Sequence, residues 1–430
     1  MGERESSGMT ADRSGDAKII AAMVIDSAGS GLWLPFSLLY FVYGRGMPLP
    51  AVGSALTAGA LVGVGVGVAA GPLTDRLGAR SASALSSLVR AAAFPFYILT
   101  TGPVSVSVVA AFISFGDRLF WASHAGLVAA FHSDMPGRMR LFARLNRVRF
   151  LGMSVGALAV TTGVAVQGLR SPWLYDVVLS LNAASFLVAA LLIFASGRTR
   201  QPSLQTWPQT AKEREDPSPR RAKASYRDVL TDHAFVQYTV INFVLALASD
   251  SFVTALPIFL IRYAGAPGWT PGALYLVSCV TLLASKPLVN RMATHSQPVR
   301  LRRLAVELSA LYFVALPLVP ILGTVLGLAL ALALTMLFAL SEAMQAMVMS
   351  AIVLEFAPPA AQGRYNAFFQ LSWGLAGAVA PGVYAFGLTL SPTGLWVATA
   401  LLIAASGLAL GRIRLPARTD EHRFPSGHER

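Results

Sequence analysis

The chain has little charge and almost no cysteine for its length. Only 13% of its 430 residues are Asp, Glu, Lys or Arg, whereas 55% are hydrophobic, and the mean hydropathy is +0.59. A soluble protein of this size needs far more polar surface. The single cysteine, Cys279, excludes an internal disulfide. These two shortages predict a membrane protein without a disulfide framework.

The sequence also lacks the common motifs of catalysis and metal binding. It has no phosphate-binding Gly-Lys-Ser/Thr loop, so ATP is not its energy source. Its six histidines show no metal-ligand spacing. We therefore predict no cofactor and no metal, and a protein that is not an enzyme. An integral-membrane enzyme and a non-transporting membrane sensor remain the alternatives from other classes, although the chain has no polar segment long enough for a folded signalling domain.

The net charge of +13 does not indicate nucleic-acid binding. The basic residues lie in short stretches between apolar runs, whereas a nucleic-acid footprint needs a continuous basic face. The chain is instead predicted to have the lipid bilayer and a small molecule as its partners.

Twelve apolar stretches are long enough to cross the hydrocarbon layer, which takes about 20 residues of helix. They are Ile19 to Tyr43, Leu49 to Ala70, Ser81 to Thr101, Val104 to Phe131, Phe150 to Gln167, Leu174 to Ala195, Phe235 to Tyr263, Gly272 to Leu288, Leu304 to Pro320, Gly323 to Val348, Asn366 to Gly387 and Gly394 to Gly411. The first follows a polar N-terminus and is longer than the core of a signal peptide, so it is expected to stay in the membrane.

The lysines and arginines give the orientation of these spans. With both termini in the cytoplasm, 28 of the 34 fall in inner segments, and only Arg45, Arg170 and Arg262 fall outside. Cytoplasmic loops carry such an excess of basic residues. Only Arg90, Arg118 and Lys286 are left at membrane depth. The sequence predicts a multi-pass protein of the cell inner membrane with both termini cytoplasmic, and we expect a monomer.

One long polar segment divides the chain near its middle, and its X-Pro steps are typical of an exposed linker. The predicted organisation is a cytoplasmic tail at 1–18, a six-helix bundle at 19–196, a cytoplasmic linker at 197–232, a second six-helix bundle at 233–413 and a cytoplasmic tail at 414–430.

A short motif occurs once in each predicted bundle. Residues 72–77 read Pro-Leu-Thr-Asp-Arg-Leu and residues 287–292 read Pro-Leu-Val-Asn-Arg-Met, 215 positions later. Each copy lies where a hairpin loop is predicted between the second and third helices of its bundle. Internal repeats of this kind are common in membrane transporters.

The first copy resembles the hallmark loop of the major facilitator superfamily. The match covers Gly71, Asp75, Arg76, Gly78 and Arg80, and the second copy keeps Arg291 but has Asn290 in place of the aspartate. Other stretches similar to bacterial, actinobacterial-like members are those at 26–31, 117–121 and 363–366. The resemblance implies an all-α membrane protein with twelve transmembrane helices in two pseudo-symmetric six-helix bundles.

The resemblance also implies a conformational gate. In the family, the aspartate of the loop bridges the two halves on the cytoplasmic side when the cavity opens outward, and here it corresponds to Asp75. Its expected partner is the start of the eleventh helix near Gly363 and Arg364. The alternative is that the basic residues of these loops, among them Arg80, Arg140 and Arg149, only anchor them to anionic lipid.

Ionisable residues at bilayer depth are costly and mark functional sites. Five lie on helices one, four, seven and ten, which line the central cavity in the family: Asp26, Asp117, Arg118, Asp250 and Glu342. Adjacent residues of a helix cannot point the same way, so we predict that Arg118 pairs with Asp26. A carboxylate that gains and loses such a partner can bind and release a proton. The possible carriers are Asp26, Asp250 and Glu342, of which Asp26 is the first candidate and Glu342 the second.

Aromatic residues on the same and neighbouring helices are candidates for the substrate pathway. They are Trp33, Trp121, Tyr275, Phe369 and Trp373. Such side chains, with a few carboxylates, suit an amphipathic organic molecule. The sequence thus predicts a secondary active transporter that moves a small organic compound by alternating access, in proton-coupled export of a drug or metabolite. The alternative is a proton-coupled uptake permease, because the glycine-proline motif that antiporters of the superfamily often carry in helix five is missing after Gly156.

Overall fold

The structure, a computed structural model, describes residues 2–131, 135–197, 226–295, 298–356 and 362–413. Helix dominates these residues, and none of them lies in a strand. The long helices are α1 Gly2–Trp33, α2 Leu49–Val66, α3 Ala79–Ala93, α4 Pro103–Phe131, α5 Met135–Gln167, α6 Pro172–Ala195, α7 His233–Arg262, α8 Thr270–His295, α9 Pro298–Ala315, α10 Gly323–Phe356, α11 Gln362–Leu390 and α12 Pro392–Arg412.

All but one of these helices are long and apolar enough to cross a membrane, which makes eleven candidate spans in the part of the chain that is described. The predicted all-α membrane fold is confirmed. The exception is α9, which has Arg300, Arg302, Arg303 and Glu307 within its 18 residues. These charges lower its hydropathy below that of a typical span. The ninth crossing therefore stays a prediction.

The repeated motif is helical and does not form the predicted loop. After α2, a 3₁₀ turn at Gly67–Ala69 leads into a further helix, Ala70–Leu77. Pro72 fits because the first turn of a helix does not use its N–H. The turn itself is Gly78, whose φ of 80° suits glycine. The second copy lies inside α8, so the prediction of a loop was wrong in both halves.

The helices of each half pack mainly on one another. In the first half α1 packs against α5 and α6, α2 packs against α4, and α3 packs against α4 and α6. In the second half α7 packs against α11 and α12, and α9 packs against α10 and α12. The halves meet where α2 contacts α11 and where α5 contacts α8. We call the end of the molecule that carries Gly78 the hairpin face and the end that carries residues 45–48 the distal face.

The contact between α2 and α11 lies near the distal face. The backbone N–H of Gly382 donates to Thr57 Oγ1 at 2.9 Å. Gly53 lies directly against the Pro381 carbonyl and the Ala385 side chain, so no larger residue fits there. The two halves are thus tightly joined on this side.

Glycines allow the close helix contacts within the first half. In α2, Gly59 and Gly63 lie against the backbone of α4. In the segment that follows α2, Gly67 lies against the Arg118 side chain, whereas Gly71 faces open space. In α5, Gly156 lies against the Ala28 carbonyl of α1. Small residues bring helix backbones together in membranes because they remove the side chains between them.

A polar network joins α9 to α10. The hydroxyls of Ser309 and Ser341 lie 2.8 Å apart, and Gln345 Nε2 donates to Ser309 Oγ at 3.0 Å. All three residues are buried. The contact between these two helices is therefore partly polar.

Candidate functional site

A cavity of about 270 Å³ opens among α1, α3, α4, α5 and α6. Its wall contains both signs of charge together with aromatic rings. The charged and aromatic groups that matter most are Asp26, Arg90, Asp117, Arg118, Trp121 and Arg149. The described lining residues all come from the first half of the chain.

An ion cluster forms one wall of this cavity. Arg90 Nη2 of α3 lies 3.0 Å from Asp26 Oδ2 of α1, and Arg90 Nη1 lies 3.5 Å from Asp117 Oδ1 of α4. The exposed fractions of the three side chains are 6% for Arg90, 12% for Asp26 and 45% for Asp117. One buried guanidinium is therefore shared by a buried carboxylate and a carboxylate that remains accessible.

Additional contacts hold the guanidinium in place. Arg90 Nε donates to the Ser86 carbonyl at 3.4 Å, and Nη2 donates to Ser87 Oγ at 3.3 Å. The guanidinium carbon lies 4.2 Å from the ring centroid of Phe186 and 5.1 Å from that of Phe120. These hydrogen bonds and cation–π contacts offset part of the cost of burying the charge.

The predicted pairing of Asp26 with Arg118 was wrong. Asp26 pairs with Arg90, a residue that the sequence analysis left at membrane depth without a role. Asp117 and Arg118 point in different directions, as adjacent helical residues must, and it is Asp117 that turns toward Arg90. Arg90 belongs to α3, which was not among the helices expected to line the cavity.

Arg118 lies between the two halves. Its side chain packs against Gly67, just after α2, and against Gly374 of α11, and its Nε is buried without a hydrogen-bond partner among the described atoms. Asp250 of α7 approaches the same helix one turn further along, near Gly377. Asp250 and Arg118 therefore flank α11 from opposite halves of the chain.

Arg149 is a cavity residue that the sequence analysis missed. It was counted among the basic residues of an inner loop, as a lipid anchor. In the structure α5 begins at Met135, so Arg149 lies well inside the helix. Its guanidinium carbon stands 4.9 Å above the ring centroid of Trp121, and both residues line the cavity. Arginines recur at positions 138, 140, 144, 147 and 149, and nothing in the sequence distinguishes Arg149 from the others.

The second half contributes carboxylates. Ser249 Oγ of α7 donates to Glu342 Oε1 of α10 at 2.7 Å. Within the described residues, neither Glu342 nor Asp250 forms an ion pair. Among the described residues, Arg118 and Arg149 of the first half and Asp250 and Glu342 of the second half thus have no ion-pair partner.

The predicted aromatic residues have different surroundings. Trp33 lines the cavity and stacks on Tyr97, with 5.7 Å between ring centroids. Trp121 and Trp373 are 49% and 38% exposed. Tyr275 reaches from α8 to the sulfur of Met153 in α5 at 3.6 Å. Phe369 is buried and stacks on Tyr238, which is typical of a packing residue.

The residues of the predicted gate lie at the hairpin face. Asp75 and Arg76 are exposed, and Asp75 forms no ion pair with a described residue. The Arg80 guanidinium carbon lies 5.9 Å from the ring centroid of Phe194. Asn290 and Arg291 are exposed near the end of α8, and Arg364 is half-buried in α11. Gly363 lies in the first turn of the same helix, but its surroundings lie outside what the structure describes.

Comparison with known proteins identifies the family to which the sequence belongs. The sequence profile of the Major Facilitator Superfamily matches residues 19–381. The "Multidrug resistance protein MdtH" of Photorhabdus laumondii subsp. laumondii is 24% identical over 354 residues, which cover 80% of this chain and 79% of that protein.

Solved structures share the fold at low sequence identity. A variant of the nucleoside transporter NupG superposes with a TM-score of 0.74 at 11% identity, over 93% of this chain and 99% of that one. The peptide transporter POT in complex with sulfate gives 0.73 at 16% identity, over 92% and 94%. The resemblance predicted from the sequence is confirmed, and the chain is a transporter that belongs to the Major Facilitator Superfamily.

Proposed function

We propose that the protein exports a small amphipathic organic compound in exchange for protons. Residues 19–196 and 233–413 act as two bundles that rock against each other, and the cavity lies within the first of them. The observation that carries the proposal is the ion cluster, in which Asp26 and Asp117 share Arg90 on the wall of the cavity.

Sharing one arginine leaves negative charge that another cation can balance. Arg90 is closer to Asp26 and is buried with it, whereas Asp117 is more distant and nearly half exposed. A proton or the positive group of a substrate can therefore bind at this pair of carboxylates, but the two compete. Competition between a proton and a substrate for one group is the basis of exchange, because binding of either releases the other.

The cavity wall supports an amphipathic substrate. Trp33 and Trp121 offer aromatic surface, and Asp117, Arg118 and Arg149 offer charge of both signs. Pockets of this kind bind molecules with an apolar body and a few polar groups. The name of the relative from Photorhabdus laumondii supports export of a drug or metabolite.

Asp26→Asn is expected to make transport insensitive to the pH gradient, because the carboxylate that binds the proton is removed. A substrate is first found by a thermal-shift screen on the detergent-solubilised protein. Its accumulation in inside-out vesicles is then measured with and without a pH gradient. Glu307→Gln serves as the control, since this carboxylate is 57% exposed and lies on the surface. Normal proton coupling in Asp26→Asn would transfer the role to Glu342, the second candidate.

The direction of accumulation in the same vesicles decides between export and uptake. Substrate should enter inside-out vesicles of an exporter when the lumen is acidic. Accumulation only in right-side-out vesicles would favour the uptake permease, which the missing glycine-proline motif after Gly156 keeps as the second candidate.

Asp75 is proposed to gate the hairpin face by binding to the start of α11 when the cavity opens toward the distal face. Asp75→Asn should leave the protein folded and lower turnover about tenfold, since a charge-assisted hydrogen bond is roughly twice as strong as a neutral one. Transport rates and thermal unfolding of the two proteins test this. Turnover equal to that of the unsubstituted protein would contradict the gate.

We also propose a monomer in the cell inner membrane with both termini in the cytoplasm. The support for this orientation is the concentration of lysine and arginine on one side of the spans. The hairpin face is then cytoplasmic.

A further inference from the structure

A second, smaller cavity lies on the hairpin side of the ion cluster, among α1, α4 and α6. Its volume is about 20 Å³, and a water molecule needs about 10–15 Å³. The wall is apolar except at two residues, Asp26 of α1 and His124 of α4. A water molecule in this position would have a carboxylate and an imidazole as its polar partners.

His124 is a buried titratable group without an assigned role. The residue is only 8% exposed, and its Nδ1 has no hydrogen-bond partner among the described atoms. Its ring stacks on Phe120 at 5.1 Å between centroids, which fixes its orientation. A buried polar atom normally has a partner, either protein or ordered water. The cavity beside His124 is the place where a water molecule can supply one.

Asp26 connects the two cavities. Of the described residues, it is the one carboxylate that lines both the large cavity and the small one. The large cavity faces Asp117, Arg118 and Trp121, whereas the small one extends toward Leu127 and Ile193, near the hairpin-side ends of α4 and α6. Asp26 thus also faces a cavity that extends from the ion cluster toward the hairpin face.

We propose that the small cavity holds a water molecule that links His124 to Asp26 and forms a proton route separate from the substrate cavity. His124 accepts a proton from the hairpin side on one ring nitrogen and releases one from the other nitrogen to the water. The water gives one of its own protons to the Asp26 carboxylate, so one proton moves and no other group changes. This inference rests on the proposed proton coupling and adds the route by which the proton arrives.

The charges around His124 favour the delivery of protons over their storage. Asp26 faces it from α1, and Arg90 of α3 lies over the neighbouring Phe120 ring. Arg149 of α5 lies over Trp121, whose ring centroid is 6.2 Å from that of His124. The described lining residues from α6 are apolar. Among these groups Asp26 is the anion, so it is the acceptor toward which a proton leaving the imidazole moves.

The proton route can be tested without a substrate, by measuring the charge displacement that follows a rapid change to acidic pH. The full-length protein is reconstituted in proteoliposomes on a solid-supported electrode, and the transient current of proton binding is recorded. His124→Phe keeps an aromatic ring but cannot carry a proton. We expect the transient to keep its amplitude and to become about tenfold slower, since positioned proton-transfer groups contribute at least this much.

Two further variants make the result decisive. His124→Gln keeps hydrogen bonding without titration and should slow the transient to a similar extent, which excludes a packing defect in the phenylalanine variant. His233→Gln changes an exposed histidine at the start of α7 and should leave the transient unchanged.

The proton carrier and the proton route can fail separately. Asp26→Asn should abolish the transient, and if it does not, proton binding at Asp26 is wrong. If Asp26→Asn abolishes the transient but both His124 variants keep the original rate, the carrier stands and the route through the small cavity is overturned.

Discussion

Replacing Arg90 by glutamine is expected to destabilise the protein strongly and to abolish transport. The substitution leaves Asp26 buried beside Asp117 without a cation between them. Removing one partner of a buried ion pair costs about 3–5 kcal/mol, because the remaining charge is uncompensated. Thermal unfolding in detergent can be followed with a thiol-reactive dye, since Cys279 is the single cysteine and is buried in the folded protein.

Two comparisons show that the effect belongs to the buried cluster. Arg303→Gln removes an arginine that is 82% exposed and pairs with Glu307 on the surface, and it should change stability by about 1 kcal/mol or less. Combining Arg90→Gln with Asp26→Asn and Asp117→Asn removes all three charges and should recover most of the stability but not transport. If Arg90→Gln unfolds at the same temperature as the original protein, the ion cluster does not stabilise the fold as expected.

The second large effect is expected at the contact between α1 and α5. Gly156 lies against the Ala28 carbonyl, so even the methyl group of Gly156→Ala overlaps with backbone. Overpacking of this kind costs about 1–3 kcal/mol. The backbone of α1 cannot move away alone, because it also carries Asp26 of the ion cluster. We expect a lower unfolding temperature and weaker transport. Thermal unfolding is measured in detergent with the same dye as for Arg90→Gln, and transport is measured in vesicles.

Gly65→Ala is the matched control for this substitution. Gly65 is also a helical glycine, but a methyl group there meets nothing within 4 Å. Alanine has the higher helix propensity, so stability should stay the same or increase by up to about 1 kcal/mol. Equal losses in Gly156→Ala and Gly65→Ala would show that helix propensity, and not the contact with α1, decides the outcome.

The sequence predicts the fold well because hydrophobic length is a direct requirement of the bilayer. Each apolar stretch must satisfy its backbone hydrogen bonds within a helix, so hydropathy alone finds the spans. The same reasoning leaves the ninth span a prediction, because α9 has four charges within 18 residues. It also fails for residues 71–77, because glycine and proline suggest a turn there although a helix begins at Ala70.

The sequence locates the charges of the candidate site but not their partners. Asp26, Asp117 and Arg118 were recognised from their depth in the membrane, and Asp26 and Asp117 do meet in one cluster. The pairing depends on how α3 rotates toward α1 and α4, which no spacing along the chain specifies. Arg90 was therefore overlooked, although its place at membrane depth was a usable signal. Arg149 was overlooked because the start of α5 cannot be read from a run of arginines.

The serine and glutamine contacts between α9 and α10 bear on how the chain enters the bilayer. The charged residues at the start of α9 are unfavourable in lipid. Ser309 finds the Ser341 hydroxyl and the Gln345 amide only after α10 has been synthesised. The polar contacts of α9 are thus expected to form late, once the more apolar helix that follows it has emerged from the ribosome.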